Sequence, residues 1–153
     1  MHKQRIYIDT SVIGGCFDEE FSEWSNKLFD EFICGNKLAV ISETTNAELQ
    51  NAPIFVQNRI FDIPQEYLEI VKINDDIDFL AKKYFDYEAI SPKNKEDALH
   101  IATASFYKVN VLVSWNFKHI VNLRRINLYN AVNLIFGYSN LEIRSPREVL
   151  ENE

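Results

Sequence analysis

Four oxygen-bearing side chains in this sequence stand where chemistry is commonly done. Asp9 directly follows the apolar run Arg5-Ile6-Tyr7-Ile8. Glu48 lies in the first turns of a helix after a second run, Leu38-Ala39-Val40-Ile41. Asp97 sits in the first turn of the helix that leads into a third run, Val111-Leu112-Val113-Ser114, and Asn116 follows that run. In an open parallel sheet, ligands bind beyond the carboxyl ends of the strands. Four such groups, far apart in sequence, are therefore expected to meet on one rim. Hard oxygen donors of this kind suit Mg²⁺ or Mn²⁺.

Each acid also fits a purely structural role. Thr45-x-x-Glu48 has the form of a capping box, Asn94-x-x-Asp97 reads as a similar local cap, and Asp9 can cap a short helix starting near Ser11. An acid at a helix N-terminus gains roughly 0.3–1 kcal/mol without doing chemistry. Capping does not predict the joint placement on one rim. His100, three residues after Asp97, shares its helix face; it either touches substrate, orients Asp97, or is a packed, hydrogen-bonded helix histidine. Thr10, Ser11 and Ser114 are placed to donate hydrogen bonds to the acids or to metal-bound water, and equally fit turn and cap roles. Trp115 reads as core.

The elements that position these residues alternate. Short apolar strands are expected at 5–8, 38–41 and 111–114, with a last short one at 141–143. Helices are expected at 20–34, ended by Gly35-Asn36, then at 42–51, 53–61, 74–85, 94–108 and over most of 119–138. Residues 67–73 are ambiguous between helix end and strand. This order indicates an α/β fold, a mainly parallel sheet covered on both faces.

Composition narrows the classes. The chain has 153 residues, of which 46% are hydrophobic and 25% charged, enough for one domain with its own core. Cys16 and Cys34 form no CxxC pair, and both read as small buried thiols of a reducing cytosol. No apolar run reaches the roughly 18 residues of a membrane helix, and no secretory leader is visible. There is no GxGxxG, no GxxxxGK[ST] and no GxSxG, so dinucleotide-binding, P-loop and hydrolase-elbow readings fail. Net charge is −7, yet residues 93–125 carry Lys93, Lys95, Lys108, Lys118, Arg124 and Arg125 against only Glu96 and Asp97. A local basic zone on an acidic body can meet phosphates, although solvated surface lysines would read the same way.

Taken in order, Ile6-Tyr7-Ile8-Asp9-Thr10-Ser11-Val12, Ile41-Ser42 through Ala47-Glu48-Leu49, Asp97-Ala98-Leu99-His100-Ile101-Ala102 and Leu112-Val113-Ser114-Trp115-Asn116 resemble the PIN-domain ribonucleases, and among them the VapC-type toxins of type II toxin–antitoxin systems. The resemblance spans residues 1–153 as a single PIN-like domain. It implies a three-layer α/β/α sandwich with a mainly parallel central sheet, an acidic pocket for one or two Mg²⁺ or Mn²⁺ ions, and cleavage of RNA. It also implies a homodimer and a small antitoxin partner. Asp9, Glu48 and Asp97 fall on the family's principal acids. Asn116 stands where the family often has a fourth acid; its neutral carbonyl oxygen is a weaker ligand. The expectation is a cytoplasmic, metal-dependent endoribonuclease with Asp9, Glu48 and Asp97 as catalytic acids. Asp9, Asp97, Glu48 and Asn116 are its candidate metal ligands, and Lys118, Arg124 and Arg125 guide the RNA backbone. The alternatives are a catalytically weak or inactive PIN-like module that binds RNA or protein, and a structural domain whose acids only cap helices.

Overall fold

Arg5–Ile8 (β1), Leu38–Ser42 (β2), Leu68–Val71 (β3), Val111–Val113 (β4) and Ile143–Arg144 (β5) hydrogen-bond into one sheet in the order β3-β2-β1-β4-β5. Every neighbouring pair is parallel. The structure, a computed structural model, describes residues 3–151. The helices are α1 (Thr10–Gly15), α2 (Ser22–Ile33), α3 (Glu43–Leu49), α4 (Ile54–Arg59), α5 (Asp75–Asp86), α6 (Lys95–Phe106), α7 (Leu123–Ile135) and α8 (Pro146–Glu151).

Alternation along the strands sorts the core into two clusters. Tyr7, Val40, Val71, Leu112 and Ile143 face α5, α6 and α7, where Ile77, Leu80, Tyr84, Ile101 and Tyr129 pack against them. Ile6, Ile8, Ala39, Ile41, Val111 and Val113 face the other way, onto Val12, Ile13, Leu28, Phe29 and Phe32 of α1 and α2, with Val149 and Leu150 of α8 at the edge. A strand buried on both faces has no reason to alternate apolar with polar, and this is why β1, β2 and β4 read as unbroken apolar runs. The molecule is thus a three-layer α/β/α sandwich. Among the described residues, no helix is long and apolar enough to cross a membrane.

The order 3-2-1-4-5 places the switch point between β1 and β4, the crevice that open α/β sheets use for ligands. Residues 67–73 resolve into β3, an edge strand with Glu69 and Ile70 exposed. Only its ends are covered, Leu68 on one face and Val71 on the other, and this breaks the strand pattern. α8 was not expected, since six residues give too few turns for a helical period to show. Gly35 ends the α2 segment with φ +79°, and a Cβ there would lie 2.5 Å from the Tyr67 ring. Cys16 is buried as expected, but Cys34 is exposed, because it lies past the last turn of α2 with its Sγ on Asp30 O.

Candidate active site

Asp9 ends β1 and N-caps α1, and its carboxylate is 5% exposed. Three donors hold it: Ser11 Oγ at 2.6 Å and the Val12 N–H at 3.3 Å on Oδ1, and Ser114 Oγ at 2.6 Å on Oδ2. Ser114 is the residue after β4, so this last bond stitches the two strands flanking the switch point. Burial pushes the Asp9 pKa up, against His100 and the three hydrogen bonds, which pull it down. The cap expected of Asp9 is therefore present, together with more hydrogen bonding than a cap requires.

Glu48 does not act as a cap. The capping box of α3 is formed by Ser42 and Thr45, at 3.4 Å each way, and not by Thr45 with Glu48. Glu48 instead turns inward: its Oε1 accepts from Thr10 Oγ1 (3.0 Å) and bonds His100 Nε2 (2.6 Å). Burial raises the Glu48 pKa, but the hydrogen bond and charge of His100 and the Thr10 hydroxyl outweigh it and bring it down. His100 is 1% exposed, and its other ring nitrogen, Nδ1, lies 2.6 Å from the Tyr7 hydroxyl, which is in turn 2.7 Å from Ser42 Oγ. Desolvation opposes charging of His100, yet Tyr7, Glu48 and Asp9 push its pKa up to about 10. His100 is thus the hydrogen-bonded helix histidine, and its carboxylate partner is Glu48 rather than Asp97.

Asp97 lies in the first turn of α6. Asn94 makes no side-chain cap there, so the expected local cap is absent. Burial pushes the Asp97 pKa up to about 6; His100 opposes this, and the charges of Asp9 and Glu48 add to it. Asn116 Nδ2 donates to Asp97 Oδ2 at 3.3 Å, while Asn116 Oδ1 accepts the backbone N–H groups of Lys118 and His119. The Asn116 oxygen is therefore engaged in closing its own turn. Asn116 N–H also donates to Ser114 Oγ, and Trp115 N–H to Ser11 Oγ.

The three acids, together with Thr10, Ser11, His100, Ser114 and Asn116, thus form one hydrogen-bonded and electrostatically coupled rim. Among the described residues, no three His, Cys, Asp or Glu side chains already stand close enough to hold an ion between them. The fit to a hard divalent cation lies in the donor chemistry: one buried and two half-buried carboxylates, with Asp97 raised by burial and further by the charges of Asp9 and Glu48, are the set such a cation would relieve.

Lys118 is exposed and its backbone N–H bonds Asn116 on this rim; Arg124 is exposed on α7, whereas Arg125 donates to the Ala89 carbonyl (2.8 Å) and ties α7 down. Burial lowers the His119 pKa, and so do Lys118, Arg125 and Lys93, which places Lys93 in the same cationic group. Composition showed that basic zone; grouping Lys93 with His119 required the fold. Grooves of about 390 Å³ and 420 Å³ flank the acids, the first lined by Glu48, Asn51 and Lys95, the second by Ser11, Trp115 and Asn116.

The PIN domain model matches residues 6–118, and the chain belongs to the PIN domain family. Among solved structures, it is similar to VapBC2 from Rickettsia felis bound to a promoter DNA fragment (TM-score 0.57, 18% identity, 93% of this chain and 98% of that one). It is also similar to a toxin–antitoxin complex from Klebsiella pneumoniae (0.56, 18%, 74% and 88%). A third likeness is to the sarcin–ricin loop cleaving toxin VapC20 of Mycobacterium tuberculosis (0.51, 9%, 74% and 92%). No curated protein matches the sequence.

Proposed function

We propose that this PIN domain, acting as one unit over residues 1–153, is a Mg²⁺- or Mn²⁺-dependent endoribonuclease and the toxin of a toxin–antitoxin pair. The observation that carries the reading is the convergence of Asp9, Glu48 and Asp97 at the β1/β4 switch point, where burial first, and then the charges of Asp9 and Glu48, lift Asp97 to about 6. Asp9 and Asp97 would hold the ion, and Glu48 would reach it through water. A bound divalent cation lowers the pKa of its water and offsets charge building on the phosphate oxygens.

The chain's own residues supply the rest. Ser11 and Ser114 keep Asp9 in one orientation by occupying an edge of each oxygen. Thr10 and His100 fix the Glu48 carboxylate, so that its remaining oxygen is presented to the attacking water. Asn116, notwithstanding its engaged oxygen, remains a candidate ligand; as placed, it acts through Asp97. Lys118, Arg124 and Arg125 would lead the RNA past this negative pocket. The neighbour that cleaves the sarcin–ricin loop supports RNA as substrate, and the neighbour solved with its antitoxin supports a small protein partner. A homodimer and a cytoplasmic setting belong to the same reading.

Two measurements test it. RNA incubated with wild type and Mg²⁺ or Mn²⁺ is expected to be cut, and Asp9→Asn is expected to abolish cutting; metal-independent cleavage, or full activity of Asp9→Asn, refutes the assignment. Asn116→Asp would place a second carboxylate 3.3 Å from Asp97. Mn²⁺ titration should then show tighter binding, and unchanged affinity would mean that position 116 is no ligand.

The Asn116–Asp97 bond also favours a second reading, a PIN-like module that binds RNA or protein without cutting it. Retained RNA binding with no cleavage under either metal would select that reading.

A further inference from the structure

Gly14 lies in helix α1, one turn beyond Asp9, and nothing in the fold asks for a glycine there. A Cβ at Gly14 would meet no atom within 4 Å, and its backbone is helical. Gly14 is the last residue but one of this six-residue helix, with helical backbone and open space where a side chain would be, so the fold would accommodate a larger residue there. Its neighbour differs: a Cβ at Gly15 would lie 2.5 Å from Ser25 Oγ and 2.7 Å from Trp115 Nε1, so Gly15 is needed for packing.

The open space over Gly14 is the 420 Å³ groove bounded by Ser11, Gly14, Asp18, Phe21, Trp115 and Asn116. It shares Ser11 and Asn116 with the acid rim and so begins where the reacting phosphate would lie. One wall is aromatic: Phe21 and Trp115 stack at 4.3 Å and 19°, and Trp115 is locked from behind by Nε1–H donation to Ser25 Oγ at 2.8 Å. Trp115 is buried at 9% exposure and covers one face of the half-buried Phe21, so a base would stack on the other face of Phe21, backed by Trp115. At the rim, the exposed Asp18 accepts the Glu20 N–H on Oδ1 (2.8 Å), which fixes its carboxylate. A carboxylate accepts hydrogen bonds and repels phosphate. Among the bases, such an acceptor selects an edge that donates, and guanine alone offers two adjacent donors, N1–H and the 2-amino group.

We infer that this groove seats an unpaired guanine of the RNA, next to the phosphodiester held at Asp9. The inference rests on the nuclease reading for its substrate class and adds the base preference of the same site. The open space at Gly14 lets the base lie over α1, Phe21 backed by Trp115 takes its face, and Asp18 reads its edge.

The test is fluorescence anisotropy of labelled UUGUU, UUAUU and UUUUU pentamers on the full chain in EDTA, where the proposed nuclease is silent. UUGUU should bind about tenfold tighter than the other two, the range expected for a good paired contact to a base edge. Inosine in place of guanine should lose part of that advantage. Gly14→Leu should bring all three pentamers to one weaker affinity, and Asp18→Asn should remove the guanine advantage alone, both with an unreduced thermal midpoint. A guanine advantage that survives either substitution, equal wild-type affinities, or no wild-type binding overturns the inference. The two readings fail separately: cleavage without guanine preference keeps the nuclease and discards the base seat, and preferential binding without cleavage under Mg²⁺ or Mn²⁺ does the reverse.

Discussion

At the scale of single residues, Asp97 links the site to stability. Its pKa is about 6 in the fold against 3.8 for the unperturbed group, because it is half-buried beside Asp9 and Glu48. Between these values the folded state holds the proton more tightly than the unfolded chain does. The stability this confers is fully present below about pH 4 and is lost as pH rises through about 6. Thermal unfolding of wild type compared with Asp97→Asn should show a difference that grows over this window, with Asp97→Asn the more stable at neutral pH. Saturating Mg²⁺ should shrink that difference by stabilising only the folded wild type. A difference that stays flat from pH 4 to 6 would mean that burial and the neighbouring acids do not hold the Asp97 pKa up.

At the scale of elements, α1 carries a tight packing constraint. Gly15→Ala drives a methyl into Ser25 and Trp115, and overpacking of this kind costs roughly 1–3 kcal/mol. Gly14→Ala should instead gain about 0.5–1 kcal/mol from helix propensity. Chemical denaturation of the pair checks both signs, and equal effects would discount the packing geometry at Gly15. The pair also shows what the sequence could and could not reveal. Apolar runs made β1, β2 and β4 visible, and the acids after them followed from the rule that parallel sheets bind ligands at their carboxyl edge. The partner of His100 was not visible: Glu48 lies 52 residues away on another helix, and spacing within α6 pointed to Asp97. The capping box of α3 was misplaced by three residues, because Ser42 and Thr45 are both competent N-caps and only the backbone turn decides between them. The groove over Gly14 was equally hidden, since a Gly-Gly pair in sequence says nothing of which glycine faces a ring.

At the scale of the whole molecule, an acidic body carries a basic zone beside its acidic pocket. The net charge of −7 repels a polyanion at long range, so RNA affinity must come from local contacts and depend steeply on salt. Each phosphate neutralised on a single strand contributes about 0.7 to the log–log salt slope. Lys118→Ala and Arg124→Ala should each lower the measured slope by about that amount, whereas a slope insensitive to both would move the RNA path elsewhere. Arg125 is less suited to this test, because its guanidinium holds the Ala89 carbonyl and its loss would loosen α7.

The Ser114–Asp9 hydrogen bond spans 105 residues of chain, and β1 pairs with β4 across the same interval. Contacts this remote in sequence form late, since the intervening loop must first be closed at an entropic cost. During synthesis, β1 leaves the ribosome before β4 and waits for that neighbour while the intervening 105 residues are made. A nascent chain that has not yet released α6 and β4 therefore has Asp9 without Ser114 and Glu48 without Asp97 opposite, so the pocket is assembled only after β4 has emerged.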